Sequence, residues 1–289
     1  MTVYLGNVGA LVALPDPDPG VGATLARPRQ EHATLGGGRT VDYAGPGRRT
    51  YTMAWERLTP AEYAVLEAFH TGGWGPGPFL LLPTAAGWNY LTPQQASATD
   101  VLATTDGFGG PAVMASSTAY AATGRRSLAW SLPANPTADH VLALTVQHNL
   151  PGLPVIPGVP LTWTAQVRAA APITVTLIAE FGDADDHTLP GTATSTPVTA
   201  GPGWQTLTLT ATPPTGAALT YPGVNVAPGS VTAPTVLYVD ALRVDLGPTA
   251  PGWLPGRGVP LVSLVELTCS YPWADELSAA ATFLEVGAG

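Results

Sequence analysis

The sequence predicts a mainly β protein, in which a split β domain carries one short helix and a β-sandwich is inserted between its halves. Three observations lead there. Of 289 residues, 45% are hydrophobic and only 11% charged, which is ample for a core in one large or two ordinary domains and unlike a disordered, solvating chain. The 33 Gly and 31 Pro demand many turns between short strands. Polar and apolar residues alternate with the two-residue period of half-buried strands through much of the chain, whereas the three-to-four spacing of a helix stands out in one segment.

That segment follows Leu58. Thr59 is a natural N-cap, Pro60 suits a first helical position that needs no amide donor, and Glu62 stands where a capping box places its carboxylate. Leu58 and Tyr63 occupy the positions of a hydrophobic staple. Tyr63, Leu66 and Phe69 or His70 form one apolar face, and Gly72-Gly73 stops the helix. Before it, Tyr51, Met53 and Trp55 alternate with polar residues as in a half-buried antiparallel strand. After it, Phe79-Leu80-Leu81-Leu82 runs unbroken between Pro78 and Pro83, which predicts a strand covered on both faces. Asp16 to Gly22, with its alternating prolines, is predicted to be an exposed loop, as is Gly36-Gly37-Gly38.

From about Ala96 to Gly247 helix signals vanish. Leu161–Arg168, Ile173–Leu177, Trp204–Thr210 and Val236–Asp240 alternate between Pro and Gly turns, the pattern of a β-sandwich and plausibly of a jelly roll. The last stretch resumes the earlier style, with strands expected at Leu261 to Tyr271 and Thr282 to Val286. It is too short to bury a core alone, so it is expected to pair with the N-terminal segment. The predicted domains are 1–95 with 248–289, and 96–247.

The net charge of -9 and a pI near 4.8, with no concentration of Lys or Arg, argue against recognition of nucleic acid. The pairs Arg48-Arg49 and Arg125-Arg126 read as turn residues facing water. The single cysteine, Cys269, excludes an intrachain disulfide and reads as a buried strand thiol. Met1 to Gly6 lacks the features of a signal peptide, and no apolar span is long enough to cross a bilayer, so a soluble chain made in the cytoplasm without membrane insertion is expected.

Catalytic patterns are wanting. The dense acidic stretch Asp183-Ala184-Asp185-Asp186-His187 reads as a solvated loop or, more sharply, as oxygens around a divalent cation, and the five histidines show no metal-ligand spacing. Nothing matches a nucleophile elbow or a phosphate-cradling loop, so the protein is expected not to be an enzyme. Glycan binding would need an open aromatic face. Trp163 and Trp204 alternate with core positions, and Trp130 remains as the candidate ligand-binding ring.

Two resemblances sharpen these expectations. Gly124-Arg125-Arg126-Ser127-Leu128, Pro157-Gly158 before the Trp163 strand, Gly203-Trp204-Gln205 and Val236-Leu237-Tyr238-Val239-Asp240 come in the order in which similar pieces occur in carbohydrate-binding-module-like jelly rolls. Trp55-Glu56-Arg57-Leu58-Thr59-Pro60, then Phe79-Leu80-Leu81-Leu82-Pro83 and the Pro251-Gly252-Trp253 step, resemble the tube-like domain of distal and minor tail proteins of siphophages with high-GC Gram-positive hosts. The second resemblance implies a virion tail protein that forms a ring, usually a hexamer, with copies of itself. Neighbouring tail tube and tail-tip proteins would be its other partners, and the sandwich would be held outward for host-surface glycan. The first implies no cofactor beyond a structural calcium, with Asp106 and Asp240 as candidate ligands. A stand-alone carbohydrate-binding or adhesion protein of an actinobacterium is the alternative.

Overall fold

The computed structural model describes the chain apart from residues 1, 20, 28, 34–35, 44–46, 85–86, 99–112, 135–139, 144–149, 250–251, 272–274 and 287–289. The backbone divides into two units: Met1–Asn7, Leu11–Pro83 and Pro260–Gly289 form the first, and Val8–Ala10 with Thr84–Val259 the second. It is mainly β, with one substantial helix.

In unit 1 the chain runs β1 (Val3–Asn7), β2 (Ala10–Ala13), β3 (Gly22–Ala26), β4 (Arg29–Ala33), β5 (Arg39–Tyr43), β6 (Arg48–Leu58), α1 (Pro60–Thr71) and β7 (Phe79–Pro83). It returns at the other end of the sequence as β19 (Leu261–Ser270) and β20 (Leu277–Glu285). Seven of these strands make one sheet in the order β2-β1-β7-β19-β20-β6-β3. The two chain ends therefore share a sheet: Leu264 lies opposite Phe283, and Phe283 opposite Tyr51. Alternation drives Tyr51, Met53 and Trp55 inward with Phe283, while β7, flanked by β1 and β19, is buried along its whole length as its unbroken apolar run predicts.

Helix α1 forms where its capping signals place it. Thr59 Oγ1 accepts from Glu62 N–H at 3.3 Å, the Glu62 carboxylate accepts from Thr59 N–H at 2.8 Å, and Gly72 ends the helix at φ 85°. Those hydrogen bonds from Thr59 hold the Glu62 carboxyl below its usual value. Leu66 and Phe69 face the core. Cys269 departs from expectation. Along β19, β7 pairs with Leu261 and Val262 alone, so among the described residues the distal half of β19 has β20 as its one strand partner, and Cys269 lies half-buried there, close to Tyr63. Gly36-Gly37-Gly38 lies in the turn between β4 and β5, an antiparallel ribbon outside the main sheet in which every β4 residue is exposed.

Unit 2 contains α2 (Pro93–Ala96), β8 (Val113–Ser117), β9 (Ser127–Leu132), β10 (His140–Ala143), β11 (Leu153–Pro154), β12 (Leu161–Ala169), β13 (Ile173–Gly182), β14 (Ala193–Thr194), β15 (Val198–Ala200), β16 (Gln205–Ala211), β17 (Leu219–Val226) and β18 (Thr235–Leu246). These form a sandwich of two antiparallel sheets. One has the order β16-β12-β18-β9-β8; the other is β10-β17-β13-β14, with β11 joined to β17 and β15 to β13. Trp130, Trp163, Val175, Leu177, Val224, Leu237 and Val239 are fully buried in the unit, and Trp163 Nε1 donates to the Gly223 carbonyl at 3.2 Å.

The segments 87–98 and 252–259 fall in this unit, not in the flanking domain where the sequence boundaries at 95/96 and 247/248 put most of them. The cause lies at β18. Its partner β9 ends at the register Val239↔Leu128, and a bulge follows at Ala241 (φ 51°), leaving the far half of that edge unpaired by β9. Asn89 fills the gap. Its side chain donates to the carbonyls of Leu242 and Leu254 and accepts from Val244 and Leu91 N–H, while Tyr90 N–H donates to the Val244 carbonyl. Trp88 Nε1 reaches the Gly258 carbonyl, and Trp253 Nε1 reaches that of Ala96. Under this cover, Arg243 and Asp245 form a fully buried ion pair.

Candidate functional site

The residues singled out in the sequence take three different places. Trp130 lies in β9 between Leu128 and Leu132, and the alternation turns all three inward; its ring is 0% exposed and not open to a sugar. Asp106 lies outside the described residues. Asp240, also 0% exposed, is a clamp on a neighbouring loop and not an open cation ligand. Its Oδ2 accepts from Ala122 and Thr123 N–H at 2.7 and 2.9 Å, and its Oδ1 accepts from Ala241 N–H at 2.6 Å and from Thr123 Oγ1 at 3.3 Å. Burial pushes this carboxyl up, against the pull of those donors. Four donors occupy the lone pairs a cation would need.

The outer face of the second sheet carries a more open arrangement. On β17, Thr220, Pro222, Val224 and Val226 turn inward, so Tyr221 projects outward, directly across from Glu180 of β13. Two glycines, Gly182 at the end of β13 and Gly152 just before β11, let the ring lie down on the sheet. A Cβ at Gly182 would stand 2.5 Å from the Tyr221 oxygen, and one at Gly152 would stand 2.8 Å from its Cε1. The phenol donates to Asp186 Oδ1, which pins the free end of the ring. Partial burial is the main cause that raises the Tyr221 hydroxyl, with the Asp186 hydrogen bond next, so it stays protonated across the neutral range.

The acidic stretch forms the rim of this face. Asp183 Oδ1 accepts from Asp185 and His187 N–H, both at 2.9 Å, and Oδ2 meets His187 Nδ1 at 3.2 Å. These bonds, led by that from His187 N–H, lower the Asp183 carboxyl. Asp186 takes the left-handed conformation at φ 67°, which turns its carboxylate toward Tyr221. The ligand atoms of Asp183, Asp185 and His187 lie within 4.8 Å of one another, close enough for a cation, but the strongest acceptor already serves the loop's own amides. The sequence marks the acids and not the ring they surround. The outward position of Tyr221 was the available signal, because Thr220, Pro222, Val224 and Val226, which have the opposite parity, are apolar or small.

No family model matches the sequence, and no curated protein matches it. Solved structures do. The enzymatically active domain of bacteriophage CBA120 tailspike protein 4 aligns with 56% of this chain at 12% identity and a TM-score of 0.43, and the match spans 22% of that longer chain. The C-terminal family 22 carbohydrate-binding module of Clostridium thermocellum Xyn10B is covered in full by 60% of this chain, at 20% identity and a TM-score of 0.41. The CBM22-1 xylan-binding domain of Paenibacillus barcinonensis Xyn10C is likewise covered in full, by 58% of this chain, at 14% identity and a TM-score of 0.40. At these identities and TM-scores the likeness goes no further than resemblance, and the β-sandwich of unit 2 stands on its own strand order.

Proposed function

We propose that this chain is a non-catalytic surface-contact protein of a phage tail tip: the sandwich meets host-surface glycan through the Tyr221 face, and unit 1 seats it as a ring-forming subunit. The observation that carries the glycan reading is the Tyr221 ring, laid flat over Gly152 and Gly182 and fixed by Asp186. A sugar stacks on an immobile aromatic face at little cost in side-chain entropy, and Glu180 stands beside it as an acceptor for hydroxyls. Asp183 and Asp186 are committed to shaping the loop and holding the ring, which suits binding rather than hydrolysis.

A panel of xylo- and cello-oligosaccharides together with cell-wall polysaccharide, titrated calorimetrically into the parent chain and Tyr221→Ala, tests this reading. Binding to at least one glycan, weakened tenfold or more by the substitution, is the expected result. Equal binding by the two proteins, or none to any glycan, overturns it.

The ring-forming part rests on the β4–β5 ribbon. A two-stranded ribbon is marginal in water by itself, and every residue of β4 is exposed, which suits an element completed by a second copy. A stand-alone adhesion protein would share the glycan face but not the assembly. Negative-stain images and light scattering separate the two: rings or tube stubs are expected, and monomers at every concentration would favour the adhesion reading.

A further inference from the structure

A second outward surface lies on the other sheet. Tyr238 of β18 pairs with Arg168 of β12, so their side chains share the outer face. The Arg168 guanidinium carbon sits 3.9 Å from the centre of the Tyr120 ring, and Tyr238 meets that ring edge-on, with centroids 5.0 Å apart at 77°. Tyr120 is 43% exposed. Its loop is not free to drift. Ser127 Oγ donates to the Tyr120 carbonyl at 2.6 Å, Asp240 holds the amides of Ala122 and Thr123, and Ala119 N–H donates to Ser117 Oγ at 3.1 Å. The fully buried Asp240, two residues along β18 from Tyr238 and on the same face of the strand, thus anchors the loop that carries the exposed Tyr120 ring.

Charge makes the cluster unusual. In a chain of net charge -9, Arg125, Arg126 and Arg168 lie on or beside this loop, and none has an ion pair among the described residues. Among the described residues Arg126 reaches Ser116 Oγ alone, at 3.5 Å. The neighbouring acid, Asp240, is turned to backbone amides. A guanidinium stacked on a ring keeps its N–H donors in plane and free at the edge, where a carboxylate or phosphate is gripped by two parallel hydrogen bonds.

We propose that Tyr120, Arg168 and Tyr238 form a second binding site, distinct from the Tyr221 face, for a pyranose ring bearing an anionic group. The guanidinium edge takes the anion, the rings take the sugar face, and Arg125 and Arg126 add a local positive field. The site does not depend on the Tyr221 reading. The test titrates tetragalacturonate, neutral galactotetraose and glucose 1-phosphate separately into the full-length protein, with Arg168→Gln, Tyr120→Ala and Tyr221→Ala variants, at two ionic strengths.

Tetragalacturonate is expected to bind more weakly as salt rises, to lose tenfold or more in both Arg168→Gln and Tyr120→Ala, and to be unaffected by Tyr221→Ala. Galactotetraose is expected to be indifferent to Arg168→Gln. Glucose 1-phosphate binding with the same Arg168 dependence would show that phosphorylated sugars serve as well as uronates. Unchanged tetragalacturonate affinity in Arg168→Gln, equal affinity for the neutral tetramer, or no binding of either anion overturns the proposal. The substituted residues are at the surface, so an unshifted melting temperature separates lost binding from lost fold.

Discussion

Replacing Asp245 with alanine should open unit 2 far more than removing one carboxylate from a surface would. Arg243 is 0% exposed and Asp245 1%. The guanidinium gives Nε and Nη2 to the two oxygens of Asp245, the latter at 2.8 Å, and Nη1 to the Gly252 carbonyl. Burial pushes the Asp245 carboxyl up while Arg243 pulls it down, the signature of a pair whose desolvation is offset mainly by the partner. Stranding a buried guanidinium costs roughly 3–5 kcal/mol, whereas replacing both members by apolar residues of similar size is often close to neutral. At about 1.4 kcal/mol per tenfold, Asp245→Ala should speed amide exchange in β18 by about two to three and a half orders of magnitude. Hydrogen exchange by mass spectrometry reads this in the full chain, with β20 of unit 1 as an internal reference. The double variant Arg243→Met with Asp245→Leu should stay within about tenfold of the parent by the same reasoning. If Asp245→Ala protected β18 as well as the parent does, the pair would be solvated and the reasoning refuted.

Other substitutions test other joints. Asn89→Ala leaves the Leu242 carbonyl and Val244 amide of β18, and the Leu254 carbonyl and Leu91 amide of the covering segments, without their partner and should cost about 3–5 kcal/mol, visible as a lower urea midpoint for unit 2. Thr59→Ala removes the side-chain half of the α1 capping box and should cost about 1 kcal/mol, or about 4 °C in the melting of unit 1. Because Glu62 has a folded pKa below its usual value, its contribution is present above that value and is lost as pH falls through the lowered one. Glu62→Gln, which removes the titrating group, should therefore show a flatter acid limb than the parent, which thermal melts between neutral and acid pH would reveal. Gly182→Ala places a methyl against the Tyr221 oxygen and should lift the ring, reducing glycan affinity about as much as Tyr221→Ala while leaving the sandwich folded; undiminished affinity would show that the flat ring is not the contact surface.

Legibility followed the range of the interaction. Alternation located β12, β13, β16, β18 and β19, and the contiguous signals around Thr59 located α1 and its caps, because each is written within a dozen residues. The same capping pattern recurs at Thr92-Pro93-Gln94-Gln95, where it starts the four-residue α2, too short to announce itself by periodicity. The joining of the two chain ends was inferable from the inability of 40 residues at the C-terminus to bury a core alone. The burial of Trp130 was also within reach, since Leu128 and Leu132 share its parity. By contrast, the seat of Tyr221 depends on register between strands that bring residues 152, 182 and 221 together, and no local pattern encodes register. Asn89 acts as a substitute strand from inside an irregular segment, where nothing periodic marks it.

The chain departs after β7 and comes back into β19, and these two strands are hydrogen-bonded neighbours, with Phe79 opposite Val262 and Leu80 opposite Leu261. To the host sheet, some 176 intervening residues, Thr84–Val259, are topologically a hairpin loop. Any cassette whose termini lie one strand spacing apart fits that position without disturbing the register of the sheet that receives it.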